Sequence, residues 1–125
     1  MSKPRKMIVY NLFPLLAGNC SQWESHFKRA ADMGFNWIFI NPIQYPGYSG
    51  SLYSIKDYFS YNPLIIDGKS KKSEQTQVNE MTKRAKGLGL QLMVDLVINH
   101  CAFDSKLIKE HPEWFLWDGD NIVHP

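Results

Sequence analysis

Three short apolar runs, Met7–Phe13, Trp37–Asn41 and Gln91–Ile98, constrain this chain more than any other feature. Each is continuous rather than alternating, and each is bounded by Gly, Pro or Asn. Strands of that kind belong to parallel sheets covered on both faces, because a wet face would carry polar residues at every second position. Parallel neighbours need a long crossover, and both intervals supply a helical pattern. The first opens at Ser21 with Glu24 three residues on, a capping-box spacing. It places Trp23, Phe27, Ala30 and Ala31 on one stripe and ends at Gly34. The second runs from Ser73 to Leu88, with Val78, Met81, Ala85 and Leu88 at steps of three and four. Lys83, Arg84 and Lys86 suit its C-terminal dipole end, and Gly89 stops it. The predicted order is β-α-β-α-β with right-handed crossovers.

Connection lengths are lopsided. Only a residue or two separates each helix from the next strand, whereas Pro14–Cys20, Pro42–Lys72 and the segment from Asn99 onward follow the strands. Long stretches without clear secondary structure are uncommon in compact domains and are usually functional. All three leave from the C-terminal ends of strands, the face on which barrels and open α/β sheets bind ligands. Three strands alone leave exposed edges, and a closed barrel takes about 250 residues. The expectation is therefore the start of a larger protein, or a shortened piece of one, that self-associates through its strand edges.

Composition excludes more than it assigns. A net charge of +2 gives no electrostatic case for nucleic acid or a membrane surface. No signal-peptide or membrane-spanning run is present, and two cysteines, Cys20 and Cys101, make no disulfide framework. The expected compartment is the cytoplasm.

Chemistry concentrates in "MVDLVINHC", Met93 to Cys101. Burying the carboxylate of Asp95 in an apolar run costs several kcal/mol, on the order of a desolvated ion, unless it is paired. With strand periodicity, Asp95, Val97 and Asn99 share one side, and His100 begins the loop. A local Asn-His turn is the plain alternative. Zinc held by Asp95, His100 and Cys101 matches no standard ligand spacing.

"DLVINH" resembles the first conserved region of the alpha-amylase family, glycoside hydrolase family 13, which ends the third strand of a (β/α)8 barrel. "YNLFP" resembles the first barrel strand and "GFNWIFINPI" the second. "SLYSIKDYFSYNP" is similar to the segment written G-Y-D-x-x-D-Y, and "HPEWF" to the opening of the insertion in maltosyltransferase-type members. The resemblance implies an N-terminal β-α-β-α-β portion of a TIM barrel over residues 1–98, followed by the start of the insertion after strand 3 over residues 99–125. It implies that His100 hydrogen-bonds the sugar at the cleavage point and that Tyr53 stacks against it, as an aromatic plane fits an apolar sugar face. Asp95 corresponds to the aspartate that holds an arginine near the nucleophile. Asp57 and Tyr58 match the pair that shapes the loop wall. Asn99 corresponds to a residue that gives an oxygen to calcium in calcium-containing members, although one amide is far short of six to eight ligands. No cofactor is required, and calcium belongs to the parent protein if to either. Leu52 and Ser54 depart from the usual glycine and aspartate, which puts substrate preference in doubt.

The implied function is part of a retaining glycoside hydrolase or transglycosidase acting on α-glucans or maltooligosaccharides. Retaining enzymes need two carboxyl groups about 5–5.5 Å apart. In the family these follow later strands, so no catalytic residue is expected within the chain, and both are expected downstream of Pro125. Asp118 and Asp120 read as a D-G-D turn. The 125 residues alone are predicted inactive. The alternative is a non-catalytic small α/β module that binds carbohydrate or protein. A nucleotide-binding Rossmann unit is weaker, since "PLLAGNCS" holds one glycine where G-x-G-x-x-G is needed. For Trp114, Phe115 and Trp117, a sugar platform, a loop mini-core and a bared surface all remain open, with the mini-core favoured. The tyrosines Tyr45, Tyr48, Tyr53, Tyr58 and Tyr61 pose the same choice.

Overall fold

The computed structural model describes residues 3–124. In chain order the main elements are β1 (Val9–Leu12), α1 (Pro14–Ala17), α2 (Glu24–Asp32), β2 (Trp37–Ile40), β3 (Gln44–Pro46), β4 (Ile55–Tyr61), α3 (Glu74–Gly87), β5 (Gln91–Val94), α4 (Lys106–Glu110), β6 (Trp117–Asp118) and β7 (Asn121–Ile122). β1, β2 and β5 form a parallel sheet in the order β1-β2-β5, with Val9 opposite Trp37 and Trp37 opposite Gln91. The expected β-α-β-α-β unit is therefore present.

The stripe on α2 behaves as its spacing requires. Trp23, Phe27 and Ala30 are fully buried, and they pack with Ile38, Ile40, Leu12, Met81 and Ala85 in one core. Gly34, at φ 90°, ends α2, where Phe35 N–H reaches back to Ala30 O at 3.0 Å. A left-handed backbone there is cheap only for glycine. Ser73 caps α3 by accepting from Thr76 N–H, also as its sequence predicts. The capping box of the first helix is displaced, however. Asn19, not Ser21, receives the backbone N–H of Ser21, and Gln22 Oε1 accepts from Asn19 N–H at 3.1 Å. A one-turn 3-10 helix, Cys20–Gln22, thus precedes α2 and takes the cap two residues upstream.

Three further expectations need correction. The third strand stops at Val94 instead of Ile98, with one more rung from Asp95 N–H to Ile40 O at 2.9 Å. Its neighbour ends in Asn41-Pro42, and proline has no N–H to continue the ladder. Only one sheet face is covered by helices among the described residues. Ile38 and Ile40 on that face are wholly buried, whereas Val9 on the other is 42% exposed. Finally, the segment Pro42–Lys72 contains a β3-β4 antiparallel ribbon with register irregularities around Tyr45. Its alternation is disguised because an inward position of β4, flanked by buried Ile55, holds the buried carboxylate Asp57.

Two buried amides finish the framework. Asn36 accepts from Ile8 N–H at 2.7 Å and donates to Lys6 O at 2.9 Å, extending the sheet edge beyond β1. Gln77 on α3 holds the preceding loop through Asp67 N–H, Asp67 O and Lys72 O. Each replaces solvent bonds that burial removes. No helix among the described residues is long and apolar enough to cross a membrane.

Candidate functional site at the carboxyl ends of the strands

Tyr53 and His100 meet. The ring of His100 contacts the backbone of Tyr53, with Nε2 2.9 Å from its carbonyl oxygen. A carbonyl can only accept, so Nε2 carries the proton, and in the neutral ring Nδ1 is the acceptor. Asn99 Nδ2 supplies that second bond at 3.2 Å. Both ring nitrogens are thus engaged within the chain, and a bond from His100 to a sugar requires exchanging one of them. Tyr53 as a whole residue remains 39% exposed.

The wall behind this pair is built from β4 and the segment after β5. Tyr58 O–H lies 2.7 Å from Val97 O and 3.1 Å from His100 O. Burial pushes its phenol up, so it stays a neutral donor. Ala102 N–H donates to Ile55 O, and Ser105 O–H to Lys56 O. The two layers approach so closely at Gly47 that an added β-carbon would sit 2.5 Å from that of Ala102. Asp57 lies deeper in the same wall. It accepts from Phe59 N–H, Ser60 O–H and Lys106 Nζ. The Lys106 bond, then the Phe59 N–H, holds its carboxyl below the usual range, and the same bond raises Lys106. Asp57 is therefore a fixed anion in an ion pair. A cavity of about 220 Å³ opens beside this pair, bordered by Phe59 and Glu110, but Tyr53 and His100 do not line it.

Asp95 sits apart from this network. It is half-buried, and its carboxylate accepts no hydrogen bond and forms no ion pair among the described residues. Nor do the described residues gather three or more His, Cys, Asp or Glu side chains able to hold a metal. With Asn99 turned toward His100, this chain's own residues do not fit a complete calcium site.

The aromatic segment near the C-terminus corrects the mini-core expectation. Trp114 is 63% and Trp117 44% exposed. Trp114 stacks on His111 at 3.9 Å, and Trp117 Nε1–H is tied to Pro112 O at 2.8 Å. Asp118, Gly119 and Asp120 close the β6-β7 hairpin, with Gly119 at φ 58°. That is the turn their D-G-D pattern predicts.

Three residues with roles here escape the motif reading: Lys106, Asn41 and Asn11. Asn41 Nδ2 is 2.8 Å from the Tyr53 hydroxyl, and Asn11 Nδ2 is 2.9 Å from Asn41 Oδ1. For the two asparagines the available signal was a polar side chain interrupting or ending an apolar run, the kind of interruption that also marks Asp95, whereas Lys106 carried none.

Comparison with known proteins supplies an independent line. Residues 5–116 match the family model described as glycogen debranching enzyme, glucanotransferase domain. The chain is 32% identical over 93 residues to the glycogen debranching enzyme of Saccharomyces cerevisiae, covering 74% of this chain and 6% of that protein. It is 28% identical to an alpha-1,4-glucan:maltose-1-phosphate maltosyltransferase of Arcanobacterium haemolyticum, covering 91% of this chain and 20% of that one. Among solved structures, an alpha-amylase from Lactobacillus plantarum superimposes with a TM-score of 0.78 at 30% identity. That match covers 95% of this chain and 29% of the amylase. The chain thus spans less than a third of each of these proteins.

Proposed function

The chain belongs to the alpha-amylase family, through the glycogen debranching enzyme glucanotransferase domain, and from that premise we propose that it forms the opening strands of a glucan-active barrel. In this reading residues 1–98 are the first three strands and two helices of the (β/α)8 domain, and residues 99–125 begin the insertion after its third strand. The parent enzyme acts on α-glucans or maltooligosaccharides by double displacement. A carboxylate attacks the anomeric carbon, the leaving oxygen takes a proton from a second carboxyl group, and water or a sugar hydroxyl then resolves the covalent intermediate. Hydrolysis and transfer share every residue described above, because the acceptor enters last.

The observation that carries this reading is the junction of Tyr53 with His100 at the carboxyl ends of the strands. A partly exposed tyrosine next to polar groups suits a sugar, whose apolar face stacks while its edge hydrogen-bonds. Asp57 and Tyr58 support the wall, and Asn99 orients His100. Asp95, lacking a partner among the described residues, is suited to receive a guanidinium from elsewhere in the barrel. Asp57 is unsuited to act as nucleophile or acid, since Lys106 holds it ionised and occupied. We therefore expect the 125-residue chain alone to be inactive, with the carboxylates supplied by later strands.

The test uses the enzyme that contains this segment. Replacing Tyr53 and His100 by alanine is expected to lower turnover of maltooligosaccharides by orders of magnitude, while the 125-residue chain shows none. Turnover at the unmodified rate in the double variant would sink the assignment. Self-association of the isolated chain is expected from the half-covered sheet face and its two edge strands. Light scattering would then report particles heavier than 14.5 kDa, and a monodisperse monomer would refute it.

A further inference from the structure

We infer that Asn11 and Asn41 are positioning residues that fix the Tyr53 hydroxyl as a hydrogen-bond donor toward a bound sugar. This deepens the sugar-contact reading of Tyr53 and rests on it.

The polarity follows from one unambiguous group. An amide side chain has an oxygen that only accepts and a nitrogen that only donates, and which is which must come from its partners. Asn11 lies 3.1 Å from the backbone oxygen of Phe39, which cannot donate, so the atom facing it is Nδ2. That same nitrogen is 2.9 Å from the side chain of Asn41, which must therefore present Oδ1. Asn41 Nδ2 is then left to face the Tyr53 hydroxyl at 2.8 Å and donates to it. Flipping Asn41 would set two amide nitrogens against each other and lose the bond from Asn11.

The phenol oxygen consequently acts as acceptor on the protein side. Its own hydrogen meets no acceptor among the described residues and is available on the open side of the ring. The three residues stand on different elements: Asn11 within β1, Asn41 at the end of β2 and Tyr53 just before β4. Of the two supports, Asn11 is a strand residue and Asn41 directly follows a strand, so the donor direction is set before a ligand arrives. A ligand group with a free lone pair is selected at this point, such as a hydroxyl or ring oxygen on the edge of a pyranose. A group with donors alone, such as the ammonium of an amino sugar, is disfavoured. His100, held by Asn99, bonds the backbone of Tyr53 while Asn41, held by Asn11, bonds its phenol, so the side chain is restrained at both ends.

Two measurements test this, one of them without ligand. In the ¹⁵N-labelled 125-residue chain, Tyr53→Phe is expected to shift the side-chain amide resonances of Asn41. Those of Asn11, still held on Phe39 O, should move little. An unmoved Asn41 amide overturns the assignment. With maltotriose as the probe, Asn41→Asp keeps the Asn11 bond but turns the phenol hydrogen inward to the new carboxylate. It and Tyr53→Phe should each weaken binding about three- to tenfold, the worth of one hydrogen bond. The double variant should be no weaker than either. Wild-type binding in Asn41→Asp, or additive losses in the double variant, would refute the relay, since a merely structural role predicts no such sharing. These binding measurements use the enzyme that contains this segment, and if the unsubstituted enzyme fails to bind maltotriose, the sugar-contact reading falls with the ligand half of this inference. The amide shift still decides the polarity.

Discussion

Between the helices and the sheet, Trp23, Phe27, Ile38 and Ile40 are wholly buried and carry a single side-chain hydrogen bond, from Trp23 to Gly18 O. Above the strand ends the buried residues include Asp57 and Ser105, and the layers are joined by Tyr58, Lys106 and backbone bonds. The first region depends on apolar area, which is insensitive to direction. The second depends on donors and acceptors that must be correctly aimed. The contrast teaches why the site could be assembled on a small scaffold. A generic core fixes where the strands end, and a directional network then fixes which atoms face outward.

Two substitutions, each followed by two measurements, would break or sharpen that contrast. Phe27→Ala should cost about 3–5 kcal/mol, because it removes a large buried side chain and leaves a cavity. Tyr58→Phe should cost only about 1 kcal/mol, the net worth of an ordinary hydrogen bond. It should nevertheless move the resonances of His100 and Tyr53, which Phe27→Ala at a folded temperature should leave nearly in place. Urea midpoints together with ring-proton spectra check both. Equal destabilisation by the two would dissolve the distinction.

A smaller effect distinguishes the ion pair from its surroundings. Lys106 holds Asp57 below its ordinary value near 3.8, so the carboxylate's contribution is present above that value. It disappears as pH falls through the lowered native one. Lys106 is raised above its ordinary 10.5, and its contribution is present below that value and lost as pH rises through the raised one. Between those limits the pair is intact. Lys106→Met should therefore lower the urea midpoint at neutral pH, with the gap from the unsubstituted chain closing in strong acid. A gap that stays constant down to about pH 2, below the ordinary carboxylate range, would show that Lys106 acts through its stem and not its charge.

Much of the scaffold was legible before any coordinates. Apolar runs and helical stripes are local patterns, and they located β1, β2, β5, α2 and α3 to within a few residues. The strand after Val94 was misjudged because Leu96, Val97 and Ile98 look like sheet residues, while the neighbour's Pro42 that ends their pairing lies more than fifty positions away in the chain. The β3-β4 ribbon was missed because an inward aspartate hides its period, and its justification, Lys106, comes from a distant helix. Of the site, Tyr53 and His100 were marked by family resemblance. Their mutual bond, and the part played by Asn11 and Asn41, were not.

The sequence by itself determined the three parallel strands, the two helices that connect them and the end of the sheet from which the long segments leave. These follow from side-chain periodicity and from turn residues, which act over a few positions. Only the tertiary structure decided that His100 donates to Tyr53, that Asp57 is locked by Lys106, and that the Tyr53 hydroxyl is left as an outward donor. Hydrogen-bond polarity depends on which atoms lie within about 3 Å. In this chain those atoms come from residues 12 to 49 positions apart.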